Sequence, residues 1–179
     1  MKKLILISLI IVLNQSLANA QDTEFKVSES GLTDFIIVPV DSMKAADSYR
    51  KCVEWIGKTY NNPESVIKSK IEGSSIRIEG SADNLIYGPG LSGLSKYQVE
   101  ISFRDGRYKF DVLKIEGYVN PSIGWIEIPQ KGDWGVYYKD GQLKKSGLFV
   151  NGIPVYFNNL NSGLKDYILN ISKSETDKW

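Results

Sequence analysis

Apolar and polar positions alternate without a break on both sides of Asp105-Gly106. Val99, Ile101 and Phe103 precede the dipeptide, and Tyr108, Phe110 and Val112 follow it. Asp-Gly is a favoured two-residue hairpin turn. Pairing outward from it sets Arg104 opposite Arg107, Phe103 opposite Tyr108, Ile101 opposite Phe110 and Val99 opposite Val112. All the large apolar pairs then share one face, and a slip of one residue would scatter them. The other face receives Arg104, Ser102, Glu100, Gln98, Arg107, Lys109, Asp111 and Leu113, an almost wholly polar set. Such one-sidedness predicts an antiparallel sheet with a single face against the core.

The same pattern predicts the neighbouring elements. Phe35 to Val40 reads as a first strand buried on both faces, with Asp41 or Ser42 placed to cap a following helix. Over residues 42–60 the helical period gathers Ala45, Ala46, Tyr49, Cys52, Val53, Ile56 and Tyr60 on one arc. Asn61-Asn62-Pro63 stops that helix. Strands follow at 66–72 and 75–80, reversing near Gly73-Ser74, and 81–95 reads mainly as loop. Residues 117–135 form a long irregular segment, and Asp140-Gly141 makes a second, weaker hairpin. Phe157, Leu160, Leu164, Ile168 and Ile171 predict a terminal helix despite Gly163. The order β-α-β-β-β-β-α gives an α+β class: an antiparallel sheet of about five strands with helices on one face. One domain is expected over 32–172, with a flexible lead-in at 21–31 and a polar tail at 173–179.

The first twenty residues read as an address rather than as fold. Lys2 and Lys3 precede an apolar run, Leu4 to Leu13, broken only by Ser8, and Ala18-Asn19-Ala20 supplies the small residues of a cleavage site. Ten residues are too few for a bilayer, which needs about 20. A signal peptide cleaved after Ala20 is expected, with export to the periplasm or beyond. The cleavage point lacks a cysteine, so the product is not expected to be a lipoprotein. After the signal the longest apolar run is Phe35-Ile36-Ile37-Val38, so no transmembrane anchor is expected in the mature chain.

Composition removes several function classes. The chain has 22 basic and 21 acidic residues, and losing Lys2 and Lys3 leaves a net charge near −1. That balance lacks the basic excess by which proteins hold nucleic acid, so no nucleic-acid partner is expected. With no histidine, Ser-His-Asp and Cys-His catalysis and imidazole zinc sites are excluded. With Cys52 alone, no internal disulfide can form, and its place on the apolar helical stripe makes it a small hydrophobe. Gly88-Pro89-Gly90-Leu91-Ser92-Gly93 satisfies G-x-G-x-x-G, but a strand rather than a helix follows, so it reads as loop. No cofactor, metal or catalytic residue is assigned.

Several segments together resemble a known family. These are Leu32-Thr33-Asp34-Phe35, Tyr49 with Trp55-Ile56, Asn62-Pro63-Glu64-Ser65-Val66-Ile67, Ile76-Arg77-Ile78-Glu79-Gly80 and Asp105-Gly106-Arg107-Tyr108-Lys109. They are similar to a domain-of-unknown-function family, family 4468, with a TATA-binding-protein-like (TBP-like) fold, found mostly in exported Bacteroidetes proteins. The resemblance covers roughly residues 32–116 and, loosely, the terminal helix. It implies the fold and no catalytic residues, and fold alone does not imply DNA binding.

Two constellations remain as chemistry. Glu100 and Asp111 are expected opposite each other on the polar hairpin face, where paired carboxylates can share a proton or hold a hard cation. They are the alternative, enzymatic reading. Tyr118, Trp125 and Trp134 lie in the irregular segment, with Tyr137 and Tyr138 close behind. Such rings stack on sugars or grip peptides at low entropic cost. The sequence thus favours a non-catalytic binding or structural domain of the cell envelope. Tyr118, Trp125 and Trp134 are its candidate ligand residues, and an envelope protein, a glycan or a small molecule is its partner.

Overall fold

The computed structural model describes residues 23–86, 92–130, 138–140, 142–143, 150 and 152–170. The expected signal segment 1–20, the tail 173–179, Gly88 to Leu91, Trp134, Tyr137 and Ile171 lie outside the described residues.

The hairpin around Asp105-Gly106 forms the centre of the sheet. Its arms are β6 (Leu94–Arg104) and β7 (Arg107–Tyr118), and the register is the one the alternation predicts, from Arg104 opposite Arg107 to Val99 opposite Val112. Beyond that point a bulge leaves Leu113 unmatched, so Gln98 pairs with Lys114. On one flank run β5 (Ser75–Asp83) and β4 (Ile67–Ile71); on the other runs β3 (Phe35–Pro39), antiparallel to the first half of β7. A further strand, β8 (Trp125–Glu127), pairs with the end of β7. Among the described residues this is a six-stranded antiparallel sheet, order β3-β7-β6-β5-β4 with β8 beside β7.

Both long helices lie on one face. Helix α1 (Ala45–Thr59) packs over β6 and β7, and α3 (Gly152–Ile168) lies beside it. The short α2 (Pro63–Val66) follows Asn62, whose side chain accepts from the Ser65 N–H. Ile76, Ile78, Val99, Ile101, Phe103, Tyr108, Phe110 and Val112 point from the sheet into the core with Cys52, Ile56, Phe157, Leu164 and Ile168 from the helices. At about 25 cal/mol per Å² of buried apolar surface, this interface is the main source of stability. The Tyr108 hydroxyl crosses it, donating to Asn161 Oδ1 at 2.7 Å.

Several expectations are corrected. Within the expected lead-in 21–31, the described residues from 23 onward are tied down: Phe25 is 1% exposed, and Asn158 accepts from its N–H at 2.7 Å and donates to its carbonyl at 3.0 Å. Short strands β1 (Val27–Ser28) and β2 (Gly31–Leu32) pair within the same stretch. Phe25 and Val27 alone among polar residues are too short a pattern to read, yet the Phe25 ring fills the space between Phe110 and Phe157. Strand β3 is buried on one face, not two; it takes the edge beside β7, and Phe35 remains 37% exposed. The face of α1 is also rotated. Ser48 and Trp55 are buried and Ala46 is exposed, because α3 covers the flank of α1 that carries Trp55.

Within the segment 117–135, the described part, 117–130, is more regular than its glycines suggest. Asn120 Oδ1 accepts from the N–H groups of Ser122 and Ile123, and Gly124 at φ 77° turns the chain into β8. Asn supplies this local cap through its short side chain, a device that leaves no hydrophobic period to read. The second hairpin is present, with β9 (Tyr138–Lys139) antiparallel to β10 (Gln142–Leu143) across Asp140 at φ 53°.

Candidate functional site

Alternation along β5, β6 and β7 sends every second side chain away from the helices. Along most of that outer face the charges are interleaved and matched. Arg77 holds Glu100 through two contacts to one oxygen, at 2.8 and 3.2 Å. Lys109 meets Asp111 at 2.7 Å, Lys114 meets Glu116 at 2.9 Å and Glu127 at 3.8 Å, and Lys68 meets Glu79 at 3.3 Å. Pairs this exposed contribute little each, about 0–1 kcal/mol, but they leave no uniform field of either sign.

Glu100 and Asp111 are paired in register, as the sequence predicts. Each carboxylate is turned to its own cation, Glu100 to Arg77 and Asp111 to Lys109. Arg77 comes from β5, the neighbouring strand, where it is the register partner of Glu100. Among the described residues no group of three or more acidic or cysteine side chains is placed to hold a metal ion. Cys52 is fully buried, and burial pushes its thiol well above the ordinary range, so it is an inert core residue.

Two of the three candidate aromatic residues meet. Tyr118 and Trp125 are direct cross-strand partners on β7 and β8, with ring centroids 5.2 Å apart in an edge-on arrangement. Both are half-buried. Trp134 lies outside the described residues. A residue that sequence reasoning passed over completes this corner: the Lys96 ammonium lies 4.3 Å above the Trp125 ring. This cation–π contact holds the indole in place and adds a positive donor beside it.

Lys96 also lines a cleft of about 470 Å³ with Tyr60, Asn61, Asn62, Ser65, Lys68, Glu79 and Ser81. The cleft exists because β4 ends early. Its last pairing with β5 is Ile67 to Ile78, so Glu79 to Ser81 have no register partner on β4, and the turn after α1 stands over them. The cleft is lined by amides, hydroxyls and charges. The Gln98 amide donates to Glu79 at 2.9 Å and, with Lys68 beside it, holds the Glu79 carboxyl below its usual range, so it is ionised at neutral pH.

Behind the cleft stand three phenols in a chain. The Tyr97 hydroxyl lies 2.9 Å from that of Tyr60 and accepts from that of Tyr156 at 2.9 Å. Burial pushes all three phenols up, so they stay protonated and fix one another's orientation. Gly80 makes this possible. It is the cross-strand partner of Tyr97, and a Cβ there would overlap the Tyr97 hydroxyl. The sequence signals for this site were Asn61-Asn62-Pro63, read as a helix stop, and Gly80, noted only within the family resemblance.

Comparison with solved structures places this architecture. A TBP-like protein from Parabacteroides distasonis matches with a TM-score of 0.53 at 17% identity, over 76% of this chain and 91% of that one. A DUF4468 family protein from Bacteroides ovatus matches with a TM-score of 0.46 at 13% identity, over 93% of this chain and 97% of that one. No family model and no curated protein matches the chain. At such identities the likeness is one of fold. The chain is an α+β domain with a TBP-like fold, and the fold implied by the resemblance to family 4468 is the fold found.

Proposed function

We propose that this chain is an exported, non-catalytic domain that binds a glycan-like ligand at the cleft between Asn62 and Trp125. The observation that carries the reading is Lys96, which lines the polar cleft and also lies on the Trp125 ring, joining the two into one surface. A sugar needs that combination: an aromatic ring for its C–H face and amide, carboxylate and ammonium groups for its hydroxyls. The signal-like segment Met1 to Ala20 supports placement at the envelope, where such ligands occur. The carboxylate chemistry of Glu100 and Asp111 is disfavoured because each has a cation of its own. Nucleic acid is disfavoured because acids interleave with bases on the outer face.

The test is a fluorescence titration of the mature protein with a panel of envelope oligosaccharides, repeated on Trp125→Ala and Asn62→Ala. Saturable quenching by at least one glycan, weakened about tenfold by either substitution, is the expected outcome. Binding indifferent to both substitutions, or tight binding of DNA at physiological salt, would overturn the reading.

A further inference from the structure

The hairpin end opposite the aromatic corner carries a charge arrangement unlike the rest of the face. Arg104 and Arg107 are direct cross-strand partners, both exposed, and like charges placed opposite each other are destabilising. Elsewhere on this face Glu79, Glu100, Asp111, Glu116 and Glu127 each meet a cation. Neither guanidinium has an ion pair or a hydrogen bond among the described residues. The acid nearest in sequence, Asp105, is withdrawn from them: its two oxygens go to the Ala45 N–H and the Lys44 ammonium, each at 3.0 Å. The turn thus presents two unmatched guanidinium groups side by side.

These groups stand at the end of a groove of about 520 Å³ lined by Phe35, Ile37, Ser102 and Lys109. Only its β3 side is apolar, since Ile37 and Phe35 follow one another along the outer face of β3, and Phe35 is 37% exposed. The Lys109 ammonium lies 4.9 Å over the Phe35 ring and is neutralised by Asp111. The groove therefore has unneutralised positive charge at one end, and at the other the Phe35 ring beside a neutralised Lys109–Asp111 pair. From Pro39, the partner of Arg107, to Phe35 is four residues along the strand, about 13 Å. That length and volume suit a small molecule rather than a polymer.

We propose that this groove binds a small organic anion with an apolar tail. Its carboxylate or phosphate head is clamped between Arg104 and Arg107, and its tail lies along Ile37 and Phe35. Guanidinium forks match both head groups with paired, charge-assisted hydrogen bonds. A bound head also removes the repulsion between the two arginines, so occupancy stabilises the fold. The site is separate from the Trp125 corner and does not depend on it.

The test uses 4-phenylbutyrate and phenyl phosphate as probes, with 4-phenylbutanol and inorganic phosphate as controls. Binding to the mature protein is followed by calorimetry and by amide chemical shifts. Wild type is compared with R104Q/R107Q, Phe35→Ala and Trp125→Ala, each checked for folding by circular dichroism. Saturable binding of a tailed anion is expected, with shifts at Ile37, Arg104 and Arg107. The double arginine variant should weaken it at least tenfold, Phe35→Ala several-fold, and Trp125→Ala not at all. R107Q should melt at a higher temperature than wild type without ligand. Which of the two probes binds tighter identifies the head group. Failure of both tailed anions to bind, equal binding to R104Q/R107Q, or inorganic phosphate binding as tightly as phenyl phosphate would overturn the proposal.

Discussion

Asp105 caps a helix sixty residues upstream of it: its Oδ1 accepts from the Ala45 N–H at 3.0 Å, at the start of α1. Helix N-termini leave backbone N–H groups unsatisfied, and a carboxylate there is favoured by both the hydrogen bond and the helix dipole. The residue at the cap position, Lys44, offers no side-chain acceptor, and its ammonium meets the other Asp105 oxygen. Asp41 and Ser42, the expected caps, are used in the turn leaving β3, where Ser42 sits at φ 68°. The hairpin turn is further stitched to this connection, since Gly106 donates to Met43 O and accepts from Val40 N.

The Ala45 hydrogen bond, and then the Lys44 contact, hold the Asp105 carboxyl below its ordinary range. A depressed folded-state pKa gives stability that is complete above the unfolded value, about 3.9, and is lost as pH falls through the folded value. Asp105→Ala should therefore lower the melting temperature at pH 7, and the difference from wild type should shrink below about pH 3. Asp105→Asn, which keeps an acceptor, should lose less. Thermal melts across pH 2–7 check this, and a difference independent of pH would contradict it.

Gly80→Ala should destabilise by about 1–3 kcal/mol, because the new methyl overlaps the Tyr97 phenol and forces that ring out of its chain with Tyr60 and Tyr156. In a Tyr97→Leu background the same substitution should cost much less. Denaturant titrations of the four variants give the coupling energy; additive effects would mean that the two residues do not interfere.

Tyr108→Phe should cost about 1–3 kcal/mol, since it leaves Asn161 Oδ1 without a donor at a site only 8% exposed. Chemical denaturation measures it. An unchanged midpoint would show that the bond does not hold α3 to the sheet.

The hairpin register predicts a strong asymmetry between neighbours. Ile101→Asp puts a charge into the core and should cost about 4 kcal/mol or more, whereas Ser102→Asp, on the outer face beside Lys109, should stay within about 0.5 kcal/mol. Equal melting shifts for the two would refute the face assignment.

Export predicts a mature product that begins at Gln21, read by intact mass from the periplasmic or culture fraction. A chain retained in the cytoplasm with Met1 in place would refute it.

What the sequence determined by itself is whatever short-range pattern encodes. The Asp105-Gly106 hairpin, its register, α1 and the terminal helix all follow from periods of two and 3.6 over a few residues. In the hairpin this decides which side chains face the core before any partner element is known, whereas in α1 it gave only the approximate face, which the packing of α3 then set. Tertiary structure decided what depends on residues distant in sequence. Asp105 could not be read as the cap of α1, nor Phe25 as a core residue held by Asn158. Likewise, nothing local shows that Gly80 makes room for Tyr97, that Lys96 rests on Trp125, or that Arg104 and Arg107 are left without an acid. Each is a contact between separate strands or helices, fixed by how the sheet and helices are packed together. A hydrogen bond, a ring stack or a charge balance of this kind has no period along the chain and exists only once the elements are assembled.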